Sequence, residues 1–330
     1  MSSLLYIEGD LESTGEIKGN VSDPNKSTFN ADLIQLFYHG IEWAISTDTS
    51  ENSVKAMCVY KNKLYAGCST NGKIFVFDGS SWTESTDADG AIESLCVYNG
   101  NLYAGENGNG KIIVYNTSWS QSTDTGSNTT YSLAIYRNKL YAGCDNGMIF
   151  VFNGSSWTES TDLGSYNVYS LCVFKDKLYA GTGETGKIFV FNESSWSEST
   201  DTGYDKVNSL GIFNNKLYAL THTVSNGGTI ITYDGNSWYE AQEATTGDIH
   251  YTTMAVYNGK LWVSSEGGAA IHYFDGKEWI NSTDLSENYI YSLASYNGKL
   301  YAGTGNNGKI YTKQDSLMDV LSIDENIQNQ

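Results

Sequence analysis

The sequence predicts an all-β fold, a seven-bladed β-propeller with four antiparallel strands per blade. Two ladders of residues carry that reading. Trp43, Trp82, Trp119, Trp157, Trp196, Trp238 and Trp279 recur 37 to 42 residues apart. In step with them run Tyr65, Tyr103, Tyr141, Tyr179, Tyr218, Trp262 and Tyr301, each at the centre of a Leu-Tyr-Ala-Gly-like segment. A third observation is the punctuation: 34 glycines against a single proline, which means many tight turns. A unit of this length copied seven times packs only on its neighbours, so a chain of 330 residues needs no second core.

Residues 53–87 show the unit in order. Ala56 to Tyr60 is a short apolar, β-prone run, and Lys61 to Lys63 is a polar turn. Leu64 to Gly67 make a second strand, and Cys68 to Gly72 a loop. Lys73 to Phe77 make a third strand, Asp78-Gly79 start a turn, and Trp82 opens a fourth strand. The third strand reads Ile-Phe-Val-Phe without alternation, so both of its faces should be buried, as in a blade stacked between two others. Copies follow at 91–124, 131–162, 168–201, 207–243 and 250–284.

The seventh copy, from Ile290, stops after Gly308-Lys309-Ile310-Tyr311 without a tryptophan. Its missing fourth strand is found near the other end of the sequence, where residues 41–48 carry Trp43 and the Trp-x-x-Ser-Thr-Asp signature. The ring should therefore close three-plus-one, with 41–48 completing the last blade and Trp43 beside Tyr311. Leu36 to Gly40 also resemble the end of a third strand, but residues 309–313 keep the Gly-Lys-Ile intact and take that place. Three regions result: an N-terminal arm at 1–40, the ring at 41–316, and an acidic tail at 317–330.

The formal charge of −19, with Arg137 as the single arginine, argues against a nucleic-acid partner and against an anionic membrane surface. No stretch approaches 18 apolar residues, and Met1 to Asp10 lack the pattern of a signal peptide, so the expectation is a soluble chain made in the cytosol and not inserted in a membrane. The five cysteines occupy repeat positions, Cys58, Cys96 and Cys172 in one slot and Cys68 and Cys144 in another, and read as buried small hydrophobes. No cofactor and no metal is implied. His222, His250 and His272 gather with Asp248 and Glu266 in the fifth and sixth copies, but their spacing matches no ligand motif.

Loops between first and second strands and between third and fourth strands share one face, where most of the bases fall, including Lys61, Lys63, Arg137, Lys175 and Lys299. The blade-to-blade connections on the other face carry Asp48, Asp87, Asp124, Asp162, Asp201 and Asp284. In these Ser-Thr-Asp segments, Ser and Asp are expected to cap the turn. Just before the Ser-Leu of each first strand the copies disagree, with Lys55, Glu93, Tyr131, Tyr169, Asn208, Thr252 and Tyr291. This slot should lie at the channel mouth on the acidic face. Tyr131, Tyr169, Tyr291, Asn208 and Glu93, beside aspartates, form a candidate ligand rim whose aromatic faces and acids suit sugar hydroxyls.

Tandem Leu-Tyr-Ala-Gly, Gly-Lys-Ile-Phe-Val-Phe-Asp-Gly and Ser-Trp segments across residues 41–313 resemble kelch-like propellers and the central domain of galactose oxidase. They are similar as well to repeats of phage virion and tail-associated proteins and to tachylectin-like sugar-binding propellers. That resemblance implies fold more than activity. An enzyme is not expected: one arginine cannot make a sialidase-type cluster, no copper ligand set can be assigned among four histidines, and no Gly-x-Ser-x-Gly occurs. The expected function is a non-catalytic interaction module, a structural or adhesion component of a virion, attached to a larger protein assembly through its N-terminal arm. A glycan-binding lectin is the alternative, and a hydrolase the third reading.

Overall fold

A computed structural model of the chain describes residues 43–122, 124–164, 166–223, 227–241, 250–267 and 270–313. The proposed arm at 1–40 and the tail at 317–330 lie outside these residues, as does Asp248. Within them the strands form seven separate four-stranded antiparallel sheets, each in simple up-and-down order. Blade 1 is Val54–Tyr60, Lys63–Cys68, Lys73–Phe77 and Trp82–Asp87. Blades 2 to 6 occupy 91–121, 130–162, 168–201, 206–240 and 250–284. Blade 7 has Ile290–Tyr296, Lys299–Thr304 and Lys309–Lys313, and Trp43–Asp48 adds its outer strand. Trp43 pairs with Lys313 and Ile45 with Tyr311, so the ring closes three-plus-one as the sequence predicts.

The first strands line the centre and touch from blade to blade, and seven apolar clusters fill the seams between neighbouring sheets. The third strand supplies two of these clusters at once. Ile74 and Val76 pack toward blade 2, while Phe75 and Phe77 pack toward blade 7, which explains the unbroken apolar run. Only Ile74 of the four is fully buried; the other three are half-buried. The glycine of Leu-Tyr-Ala-Gly is needed for close approach. A Cβ at Gly67 would stand 2.3 Å from Cγ2 of Ile92 in the next blade.

The tryptophan ladder is a set of latches. In blades 1 to 6 the indole stacks or tilts on the aromatic residue that ends its own third strand, as Trp82 does on Phe77 at 5.1 Å. Its Nε1–H then donates to the serine of the preceding blade's Ser-Thr-Asp. Trp82 reaches Ser46 at 2.9 Å, Trp119 Ser85 at 3.0 Å, Trp238 Ser199 at 3.1 Å, Trp157 Ser122 at 3.4 Å and Trp196 Ser160 at 3.5 Å. The expectation that this serine caps its own turn is thus corrected: the aspartate does that work, and the serine holds the next blade. Asp48, Asp124, Asp162 and Asp201 each accept from the backbone N–H two residues on.

A second latch runs along the inner strands. The Oη of Tyr60, Tyr98, Tyr136, Tyr257 and Tyr296 donates to a turn carbonyl of the following blade, at 2.7 to 3.0 Å. Phe174 and Phe213 hold the same position in blades 4 and 5 and have no hydroxyl to give. The seam between blades 5 and 6 therefore lacks the inner latch, and it lacks the outer one as well, because Trp279 packs beside Ala241 where other blades have serine. At the closing seam Trp43 Nε1 and Ser282 Oγ are both buried without a partner. There Lys313 replaces the aromatic residue. It is 1% exposed, with Nζ 5.3 Å from the Trp262 ring and 5.9 Å from that of Tyr257. The one tryptophan outside the series thus faces the one cation in an aromatic position, a cation–π pair.

Candidate functional site

The slot that varies from copy to copy is the second or third residue of each inner strand in blades 1 to 7, close to the blade-to-blade connections. All seven of its occupants, Lys55, Glu93, Tyr131, Tyr169, Asn208, Thr252 and Tyr291, line one cavity of about 530 Å³ at that end of the channel. The inner strands converge there, so positions some forty residues apart in sequence become neighbours.

Tyr131 and Tyr169 meet edge to face at 4.9 Å. Tyr291 is stacked parallel to Tyr289 at 5.6 Å, and Lys55 Nζ stands 3.7 Å from its ring centroid. Lys206, the first residue of the inner strand in blade 5, lies 5.7 Å from the Tyr169 ring. Burial raises the phenol pKa of both Tyr131 and Tyr291. Glu93 accepts from Asn107 Nδ2 at 3.1 Å, and Asn107 Oδ1 in turn accepts from Thr129 at 3.0 Å, which fixes the carboxylate. Asn208 is divided between roles. It lines the cavity, yet its Nδ2 donates to the Tyr251 carbonyl at 2.7 Å and so ties blade 5 to blade 6.

A second slot, four residues beyond the Tyr or Trp of each Leu-Tyr-Ala-Gly-like segment, supplies Asn107, His222 and Glu266 to the same cavity. In blades 4 and 7 this slot is Gly183 and Gly305, and the tyrosine of the first slot lies over it. A Cβ would stand 2.4 Å from Tyr169 Cε2 and 2.5 Å from Tyr291 Cε2. The signal was present in the sequence as the pairing of Tyr169 with Gly183 and of Tyr291 with Gly305, but glycine after a strand reads first as a turn.

The aspartates expected beside the rim are not part of it. Those of Ser-Thr-Asp stand at or just beyond the ends of the outer strands, and no aspartate is among the described lining residues. The lining instead carries Lys55 and Lys206 against Glu93 and Glu266, a balanced set inside an acidic protein. The expected histidine cluster also divides. His222 and His250 face each other across the seam of blades 5 and 6 with ring centroids 4.2 Å apart, and His222 Nε2 and His250 Nδ1 are buried without partners. Burial holds the His222 pKa below its ordinary value, and His250 adds to the fall while Glu266 opposes it. His272 sits apart on a third strand, bonded to Asn281 at 2.8 Å. Among the described residues no three His, Cys, Asp or Glu side chains are placed to hold a metal ion.

The cysteines are inert packing groups. None is in a disulfide, and burial pushes the thiols of Cys58 and Cys144 up to about 11 and those of Cys68, Cys96 and Cys172 up to about 12. Among the described residues no helix is long and apolar enough to cross a membrane.

The seven-bladed ring defines the chain's class as a β-propeller. No family model matches the sequence, and no curated protein matches it. Solved structures do. A catalytically inactive virginiamycin B lyase from Staphylococcus aureus with quinupristin aligns at TM-score 0.72 and 13% identity, over 83% of this chain and 99% of that one. YCF48 from Cyanidioschyzon merolae aligns at 0.63 and 12%, over 82% and 98%. YCF48 bound to D1 peptide aligns at 0.65 and 14%, over 85% and 97%. The WD40 propeller domain of Doa1 aligns at 0.66 and 12%, over 84% and 99%. At such identities the likeness shows the fold alone.

Proposed function

We propose that this propeller is a non-catalytic binding module whose channel-mouth cavity receives a polypeptide partner carrying both charges. One observation supports it most: the seven occupants of one slot that differs between otherwise uniform copies all converge on one cavity. A frame kept constant with a variable lining is the arrangement of a recognition site. The balanced lysines and glutamates suit a peptide better than a purely anionic or cationic ligand, and a similar propeller, YCF48, is found bound to a peptide. The resemblance of the repeats to kelch-like and phage tail-associated propellers supports reading the module as a component of a virion assembly, joined through residues 1–40.

Lysine-directed cross-linking of purified particles, read by mass spectrometry, tests this. Lys55 and Lys206 should cross-link to one other protein, and Tyr169→Ala with Glu93→Lys should abolish those links while links from Lys139 and Lys299 persist. Absence of the chain from particles, or cavity links unchanged in the variant, refutes the proposal. The Tyr131–Tyr169 pair beside Glu93 and Asn107 favours the glycan reading, which a glycan array tests. Against it, Lys55 Nζ stands 3.7 Å from the Tyr291 ring centroid and takes a face that a sugar would stack on.

A further inference from the structure

The opposite end of the channel carries a different surface, independent of the cavity. Four residues beyond the variable slot, about 13 Å along the inner strand at 3.3 Å per residue, another position repeats. It holds Val59, Val97, Ile135, Val173, Ile212 and Val256 in six blades and Ser295 in the seventh. These residues stand just before the turns into the second strands. Val59 is 40% exposed, Ile135 and Ile212 42%, and Val256 47%, high values for β-branched side chains on the innermost strands of a packed ring. Scattered exposed aliphatics need no explanation, but a set at equivalent positions around an axis is an apolar collar, exposed at Val59, Ile135, Ile212 and Val256, half-buried at Val97 and Val173 and interrupted at Ser295.

The collar sits inside a ring of cations. The second strands begin with Lys63, Lys139, Lys177, Lys216, Lys260 and Lys299 at the same end, and Lys61, Arg137 and Lys175 stand in the turns. These inner turns contain one acid, Asp176. The outer turns of the same face have the reverse sign, with Asp78, Glu193, Asp234, Asp275 and Glu278 against Lys277. The face is therefore concentric: apolar at the axis, basic around it and acidic at its edge. Arg137 and Lys175 lean across to the outer turns, onto Glu193 and the Asp234 carbonyl.

We infer that this collar is a docking site for an acidic polypeptide segment that presents a bulky apolar side chain to the channel axis. Charge complementarity selects the occupant: the apolar part displaces water from the collar and flanking carboxylates meet the lysine ring. The acidic edge narrows the choice, because a broad anionic surface such as a bilayer or a duplex would meet Asp78, Glu193 and Asp275 before reaching the lysines. A narrow chain end or loop passes inside them. This inference concerns the face opposite the cavity and goes beyond the reading above.

Selection of random twelve-residue peptides on phage against the full chain tests it. Enriched peptides should be net negative and contain a large aliphatic or aromatic residue. Synthetic copies should bind about tenfold or more weakly to Val59→Asp/Ile135→Asp, and more weakly to Lys63→Gln/Lys177→Gln/Lys299→Gln, a surface change that leaves the strands intact. Circular dichroism and thermal melts confirm that both variants are folded. Binding should fall as sodium chloride is raised and stay unchanged in Tyr131→Ala/Tyr169→Ala on the other face. No enrichment, enrichment of neutral or basic peptides, or equal binding to the collar variant overturns the inference. Tighter binding of decanoate anion than of every selected peptide, lost with the collar, also overturns it, in favour of a lipid-anion site.

Discussion

Removing the hydroxyl of Ser46 tests whether the Trp-to-Ser latches hold the blades together or merely accompany their packing. Trp82 Nε1 and Ser46 Oγ are 2.9 Å apart in a half-buried setting, and Ser46→Ala leaves the indole N–H without an acceptor. A neutral hydrogen bond of this kind contributes about 1 kcal/mol net. For a ring of this size, unfolding entropy converts that to a fall of about 2 °C in melting temperature. The distances then predict an order. Ser85→Ala should cost about as much as Ser46→Ala, since Trp119 donates at 3.0 Å, whereas Ser160→Ala should cost only a few tenths of a kcal/mol because Trp196 stands at 3.5 Å. Ser282→Ala should be neutral, its hydroxyl having no partner to lose. The reverse change is the sharper test: Ala241→Ser offers Trp279 the acceptor that blade 5 lacks and should add up to about 1 kcal/mol. Urea unfolding at fixed pH, with a double-mutant cycle of Trp82→Phe and Ser46→Ala, measures these terms. A coupling energy indistinguishable from zero, with Ser46→Ala and Ser282→Ala equally harmless, would refute the reasoning.

Gly183→Ala places a methyl 2.4 Å from Tyr169 Cε2, so it should destabilise the protein by about 1–3 kcal/mol through overpacking. Denaturant titration in a Tyr169→Ala background, where the ring is gone, should show most of that cost removed. The stability of the wild type should also fall as pH drops below 6.5. Burial keeps the folded pKa of His222 and His272 beneath that ordinary value, so the unfolded chain binds more protons in this window. Urea midpoints at pH 7.5, 6.5 and 5.5 should decline less steeply in His222→Gln than in wild type, and an equal slope refutes the assignment to His222.

The architecture was legible because burial acts on every copy alike. Trp43 and Ile310 could be assigned to one blade from the missing tryptophan after Tyr311, although they are far apart in sequence. The variable slot was legible for the opposite reason, as disagreement inside a uniform frame. What escaped were interactions between slots. Ser46 and Trp82 belong to different copies, and a repeat read one copy at a time assigns the serine to its own turn. His272 was grouped with His222 and His250 by proximity in sequence, but strand alternation and the radial order of strands separate them. The aspartates were placed on the correct face but at the wrong radius, since sequence gives the end of a strand and not its distance from the axis. The collar of Val59 and Ile135 was hidden because an aliphatic residue on an inner strand reads as core.

The strand that closes the ring also sets a constraint on synthesis. Trp43 pairs with Lys313, so the outer strand of the last blade emerges from the ribosome before blades 1 to 6 and must wait for 290–313. At about 5–20 residues per second that wait lasts roughly 13–53 seconds, during which blades 1 to 6 can assemble in order and the first segment has no sheet to join. Such a segment is a hazard if it is long and apolar. Here it is six residues, Trp-Ala-Ile-Ser-Thr-Asp, polar in its second half and ending in a carboxylate, which weakens pairing with another chain. The same brevity that makes it a weak strand in isolation lets it remain solvated until the seventh blade offers it an edge.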